Sequence, residues 1–99
     1  MRQSEQLPKP VTDVIETVIR QEMGEYGLKA VRATPGIDHD GDPIIWVLAD
    51  YSDDGPPVDP NRMSAVLSKM RRELYEIDED RMPHIRHNFS DNRQFVGFM

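Results

Sequence analysis

The stretch PIIWVLADY, residues 43–51, constrains the fold of this chain more than any other part of the sequence. Alternate side chains of a β-strand point to opposite faces, and here both faces are apolar. Such a strand is central in its sheet, or has a second face that is covered by a partner. The sequence leaves open which face joins the core. The two faces are Ile45, Val47, Ala49 and Tyr51, and Ile44, Trp46 and Leu48.

Two amphipathic helices are predicted, one before and one after this strand. Residues 10–27 place apolar side chains at helical spacing, which indicates a helix of about four turns. After the strand, Asp59 and Pro60 are typical of an N-cap followed by the first helical position. The apolar repeat of residues 63–77 then predicts a second helix, which Pro83 is expected to stop.

Two further strands complete the predicted fold. Residues 28–34 read as a strand that Pro35 and Gly36 interrupt, and residues 84–89 read as the last strand. Asp40-Gly41 predicts a two-residue type I′ hairpin turn. The order α-β-β-α-β predicts an α+β fold, a two-layer sandwich with two helices on one face of a three- or four-stranded mixed sheet.

The same pattern divides the chain into three parts. Residues 1–9 are polar and are interpreted as a flexible arm, and residues 10–90 form a single α+β domain. Residues 91–99 form a tail whose aromatic residues indicate an edge strand or a dimer contact.

Charge is distributed unevenly along the sequence. The net charge is -6, yet residues 33–61 carry seven acidic side chains and no lysine or arginine. We therefore expect one end of the molecule to be strongly negative, a balance that argues against a non-specific nucleic-acid binder. The absence of cysteine excludes disulfides and thiolate zinc sites, and it fits a reducing cytoplasm. No signal sequence and no membrane-spanning stretch are evident.

Aspartates at alternate positions raise the question of a metal site. Asp38, Asp40 and Asp42 do not match a calcium loop, because the glycine comes too early and an apolar strand follows. His84 and His87 point to opposite faces if they lie on a strand, which disfavours zinc. We interpret the aspartates as a soluble hairpin tip, with no metal and no cofactor.

Catalytic signatures are also lacking. None of the five serines lies in a nucleophile elbow, and no glycine-rich phosphate loop is present. A small metal-dependent hydrolase that uses Asp50, Asp53 or Asp54 with His84 remains an alternative, but no catalytic residue is assigned.

The segments DHDGDPIIWVLADY, DPNRMSAVLSKMRREL and RMPHI resemble small bacterial proteins, some of which partner a second small protein as an antitoxin does. The resemblance implies a binding role and no catalytic residue. The element order is also similar to that of KH-like RNA-binding domains, although the Gly-x-x-Gly loop of that family is missing. An RNA-binding alternative would use the following basic residues: Lys69, Arg71, Arg72 and Arg86.

The leading hypothesis is a non-enzymatic protein-interaction module, antitoxin-like or an accessory subunit. An acidic hairpin lobe would steer a basic partner, or the chain would associate with itself, and aromatic anchors would provide affinity. Trp46 belongs to these anchors if its face is open, and to the core if it is covered. The residues expected to contact a partner are Asp38, Asp40, Asp42, Trp46, Asp53, Asp54, Asp59, Phe95 and Phe98.

Overall fold

The structure is a computed structural model that describes residues 6–89. Within this range the chain forms two helices and a three-stranded mixed sheet, which confirms the predicted α+β class. A short 3₁₀ turn, Gly24–Tyr26, follows the first helix. The other elements, in chain order, are α1 (Lys9–Met23), β1 (Leu28–Ile37), β2 (Pro43–Tyr51), α2 (Pro60–Glu76) and β3 (Met82–Asn88).

Strand β2 is the centre of the sheet, as its two apolar faces predict. The strand order is β1-β2-β3, with β1 antiparallel and β3 parallel to β2. A hairpin joins β1 to β2, whereas α2 provides the long connection that a parallel pair requires. The mixed character of the sheet follows directly from these two connections.

The main apolar cluster contains one face of β2, and the residues of the other face lie outside that cluster. Ile45 and Ala49 are fully buried, whereas Trp46 is 48% exposed and belongs to the opposite face. Ile44 is buried but lies outside the main apolar cluster. The open question of the sequence is therefore decided in favour of the Tyr51 face. The cluster includes Val11, Ile15, Val18, Ile19, Met23, Tyr26, Ile45, Val47, Ala49, Tyr51, Val58, Val66, Met70 and Leu74.

Helix α2 begins where the sequence predicts but ends earlier. The Asp59 carboxylate accepts a hydrogen bond of 3.0 Å from the backbone N–H of Asn61, which is an N-cap contact that stabilises a helix by about 1 kcal/mol. The helix ends at Glu76 and is followed by Asp78 in the left-handed region, with φ 64°. The prediction that Pro83 stops the helix is wrong, because Pro83 is buried within β3.

Strand β1 does not stop at Pro35 and Gly36, in contrast to the prediction. Its pairing with β2 continues to Ile37, and the register irregularity lies at the other end, between Leu28 and Ala30. Within residues 6–89, β1 is an edge strand, and an edge strand tolerates proline because a backbone N–H on its outer side needs no partner strand. Strand β3 also begins earlier than expected, at Met82.

The hairpin turn is longer than a two-residue type I′ turn. The backbone N–H of Gly41 donates to the carbonyl of Asp38 at 3.0 Å, and the N–H of Asp38 donates to the carbonyl of Asp42 at 3.0 Å. Gly41 has φ 88°, but Asp40 does not have a positive φ. This is a three-residue loop in which only the glycine adopts the left-handed conformation.

The predicted arm and tail at the two ends of the chain can be compared with the structure only in part. Lys9 belongs to α1, so the predicted arm of residues 1–9 is one residue too long. Residues 1–5 and 90–99 lie outside the described part, so the tail prediction for residues 91–99, with Phe95 and Phe98, lies there too. Neither helix of residues 6–89 has an apolar run long enough to cross a bilayer.

Candidate functional site

The side of the sheet that carries Trp46 is the most distinctive surface of the described chain. Strand pairing arranges its side chains in rows that cross β1, β2 and β3. Five of the six residues in the two middle rows are exposed, and Leu48 is half-buried. We call this surface the Trp46 face. Its rows are Thr34, Trp46 and His84, and Arg32, Leu48 and Arg86.

Trp46 is held in place by its neighbours although it is half exposed. A Cβ atom on residue 36 would overlap the indole ring, so the ring occupies the space that Gly36 leaves free. On the other side, the His84 ring meets the indole edge-on, with 5.4 Å between ring centroids. Contacts on both sides restrict the rotamers of the indole, and an aromatic anchor that is already ordered loses little entropy on binding.

Two arginines flank Leu48 in the neighbouring row. Arg32 on β1 and Arg86 on β3 both pair with Leu48 in the strand register. Within residues 6–89, neither guanidinium has a hydrogen bond or an ion pair. Together with Thr34 and Trp46 they line a shallow hollow of about 320 Å³. The surface therefore combines an aromatic ring with two unpaired cations.

The acidic residues do not form one negative end, in contrast to the prediction. Asp38, Asp40 and Asp42 lie in the turn before β2, whereas Asp53 and Asp54 lie in the loop after it. A strand of nine residues separates the two groups by roughly 25 Å. The negative charge is therefore divided between the two ends of the central strand.

Three of the predicted partner-binding aspartates have structural roles. One oxygen of Asp38 accepts hydrogen bonds from the backbone N–H of Asp40 and of Asp42, each at 2.9 Å. Asp54 accepts a hydrogen bond of 2.7 Å from the Ser52 hydroxyl, and Asp59 caps α2. Turn and cap chemistry explains these residues without a ligand. The exposed carboxylates that remain for a partner are Asp40, Asp42 and Asp53.

The structure does not assemble the residues of the hydrolase alternative. The Asp50 carboxylate accepts a hydrogen bond of 2.8 Å from Asn88, and the strand register places Asp50 about 13 Å along the sheet from His84. His87 belongs to the opposite face of β3. Among residues 6–89, no three His, Asp or Glu side chains are grouped as a metal would need.

The basic patch of the RNA-binding alternative is also divided. Arg86 lies on the Trp46 face, whereas Lys69, Arg71 and Arg72 belong to α2. The Lys69 ammonium donates to Gln21 at 2.9 Å and to Glu22 at 3.2 Å, so it bridges the two helices. Arg32, Thr34 and His84 were missed as companions of Trp46, because only the strand register reveals that they share its rows.

An aromatic cluster closes the far end of the core. A hydrogen bond of 2.8 Å joins the Tyr51 hydroxyl to Nδ1 of His87, and the Phe89 ring stacks on Tyr51 with centroids 4.2 Å apart. Burial lowers the pKa of His87, because the imidazolium form loses its hydration there.

This burial predicts a pH-dependent stability. An unfolded histidine has a pKa of about 6.5, so below that pH the unfolded state binds more protons than the folded state does. The free energy of unfolding is therefore expected to be highest above about pH 6.5 and to fall as the pH drops towards the lowered pKa of His87. Urea unfolding at pH 7.5, 6.5 and 5.5 measures this. His87→Gln should flatten the profile, and His84→Gln, at an exposed site, should keep it.

The lowest pH of that experiment is set by Glu79, which also has a shifted pKa. Its hydrogen bonds with Arg81 lower the pKa of Glu79, so its contribution is present above the usual carboxyl pKa of about 4.5 and is lost only at lower pH. Measurements above pH 5.5 therefore separate the two groups. An unchanged slope in His87→Gln would contradict the assignment to His87.

Comparison with protein-family models, with curated proteins and with solved structures finds no match. The class of protein is thus defined by its own features: a small α+β protein whose central strand exposes an aromatic and basic face. The function has to be argued from that face.

Proposed function

We propose that this chain is a non-enzymatic protein-interaction module that docks its partner on the Trp46 face. The proposal includes the finer architecture of a two-layer sandwich, in which α1 and α2 cover the face of Ile45 and leave that of Trp46 free. The burial of Ile45 and the 48% exposure of Trp46 support this arrangement. The half-exposed indole is the observation on which the proposal depends.

The composition of the face suits a binding surface. Trp and Arg are the residue types most often found at the energetic centres of protein interfaces, and here one indole and two unpaired guanidiniums share neighbouring rows. Burial of the exposed half of the indole would contribute about 2–3 kcal/mol at about 25 cal/mol per Å². Because Trp46 is already ordered, this surface is better suited to binding a partner than to facing solvent alone.

The acidic groups at the two ends of β2 would select the partner. Asp40, Asp42 and Asp53 are exposed, and residues 33–61 contain no Lys or Arg to neutralise them. Such groups attract a basic protein and raise its association rate at low salt. An antitoxin-like role, or that of an accessory subunit in the cytoplasm, is the biological form of this proposal.

Single-stranded RNA is the second candidate ligand, on the Trp46 face and away from α2. Bases stack on exposed aromatic rings, and unpaired arginines next to the ring contact phosphates. The row that holds Arg32 and Arg86 is the observation that favours it. The acidic groups at both ends of β2 oppose a polyanion that follows the strands.

A capture experiment with matched aromatic variants tests both candidates. The immobilised chain is exposed to a lysate of the native host, and bound proteins are identified by mass spectrometry and bound nucleic acid by absorbance at 260 nm. Trp46→Ala should reduce capture of the specific partner at least tenfold. Tyr75→Ala, at a residue that is 76% exposed on α2, should leave capture unchanged.

The captured protein is then purified, and its affinity is measured by calorimetry at low and high salt. A basic partner that binds more weakly at high salt and depends on Trp46 supports the proposal. Equal capture by wild type and Trp46→Ala would refute it. Trp46-dependent retention of nucleic acid alone would favour the RNA candidate.

A further inference from the structure

We propose that the occupant of the Trp46 face is a second copy of this chain, stacked sheet against sheet. The inference rests on the proposed function, because it takes the Trp46 face to be a docking surface and names what covers it. Its support is a charge and shape pattern that complements itself.

The pattern appears when the face is followed along β2. An apolar row precedes the Trp46 row, and it consists of Gly36, Ile44 and Met82. Before that, Asp38 and Asp42 lie opposite each other in the turn, joined by a backbone hydrogen bond of 3.0 Å. The strand period of two places both on the side of Trp46. Four successive rows are thus acidic, apolar, aromatic and basic.

A twofold axis that lies between the two sheets, across the strands, reverses this order in the second copy. With the axis between the apolar and the aromatic rows, Trp46 lies over the apolar row of the second copy, in which Met82 is exposed and Ile44 is buried. Met82 is 40% exposed and provides a soft apolar surface for an indole. Because a twofold interface is isologous, the same contact occurs twice.

The same axis brings opposite charges together at both ends of the stack. The row of Arg32 and Arg86 meets the acidic turn of the second copy, with Asp40 and Asp42. Each guanidinium, which has no hydrogen bond or ion pair within residues 6–89, thereby gains a carboxylate. If the second copy slides by one row, so that the axis passes through the Trp46 row, Asp42 of one copy instead meets Asp50 of the other, and like charges oppose each other. The charges therefore disfavour this shift.

The small size of the face limits the strength of the dimer. Four rows across three strands cover about 20 × 14 Å, which is less than the roughly 800 Å² per partner of a standard stable interface. We therefore expect a reversible dimer with a Kd on the order of 10–100 μM.

Two charge-reversal variants test the stack, because each alone should not dimerise and a mixture of the two should. Arg32→Glu with Arg86→Glu makes the basic row acidic, and Asp40→Lys with Asp42→Lys makes the turn basic. Each variant alone opposes like charges at both ends and should weaken self-association at least tenfold in analytical ultracentrifugation. In an equimolar mixture, one end pairs the two reversed rows and the other pairs the two native rows, so a heterodimer should form.

Two controls keep the result independent of folding. Arg71→Glu with Arg72→Glu reverses two exposed charges of α2 and should leave self-association unchanged. Trp46 is the only tryptophan of the chain, so quenching of its fluorescence by acrylamide reports directly on whether the Trp46 face is covered. Quenching should fall as the wild-type concentration rises through the Kd, and it should stay high in each variant alone.

The outcomes separate this inference from the proposed function. A wild-type chain that is monomeric at 1 mM, or a mixture of folded variants that stays monomeric, overturns the second copy as occupant. If Trp46-dependent capture of a basic protein persists in that case, the proposed function stands. If the two variants form a heterodimer and capture does not depend on Trp46, the stack is supported. The proposal that a basic partner docks on the Trp46 face is then refuted.

Discussion

Replacement of Ile45 with alanine is expected to lower the free energy of unfolding by about 3 kcal/mol, a typical loss for a buried isoleucine. Ile45 is fully buried in the central strand and belongs to the cluster that both helices share. Alanine would leave a cavity between layers that are close-packed on both sides, so little relaxation is possible. Urea unfolding followed by circular dichroism measures the loss.

Ile37 provides the matched control for this substitution. It has the same side chain, also lies in a strand of this sheet and is 69% exposed, so Ile37→Ala should change the free energy of unfolding by less than about 0.5 kcal/mol. Similar losses at the two positions would mean that the Ile45 face is not the core, and the Trp46 face would then not be the open one.

Replacement of Tyr51 with alanine is expected to be comparably severe, with a loss of about 3–4 kcal/mol. Tyr51 is buried, with only 5% of its surface exposed, and its ring stacks on that of Phe89 at the end of β3. Its hydroxyl also holds Nδ1 of His87, which would lose this buried partner. The change therefore removes packing and a hydrogen bond together.

Tyr75→Ala is the matched control, because Tyr75 is 76% exposed on α2 and should contribute less than about 0.5 kcal/mol. Tyr51→Phe separates the two effects, since it keeps the ring and removes only the hydroxyl, and about 1 kcal/mol should be lost. If Tyr51→Ala unfolds as late as Tyr75→Ala, the aromatic cluster does not close the core.

The two faces of β2 have different roles. Ile45 and Tyr51 stabilise the fold, whereas Trp46 and Leu48 form a surface that the described chain leaves partly open. Trp46 is half exposed, and in the neighbouring row Leu48 lies between two arginines that have no hydrogen bond or ion pair within residues 6–89. The proposed partner accounts for an exposed aromatic side chain at the centre of the sheet.

Local signals in the sequence were sufficient where short-range chemistry decides the structure. The continuous apolar run of residues 43–51 indicated a central strand, and Asp59 with Pro60 identified the start of α2. Local signals were insufficient where a neighbouring strand decides. Pro35 and Gly36 read as a strand end, but an edge position tolerates the proline, and the Trp46 indole uses the space above the glycine.

The sequence by itself determined the α+β class and the presence of an apolar strand between acidic segments, and it favoured a central place for β2 or a partner on its second face. These follow from periodicity and from turn and cap residues, which act over a few positions. Only the tertiary structure decided which face of β2 is open, that Arg32 and Arg86 share a row beside Trp46, and that the aspartates lie at opposite ends. Those facts depend on strand register and helix packing, which join residues that are far apart in the chain.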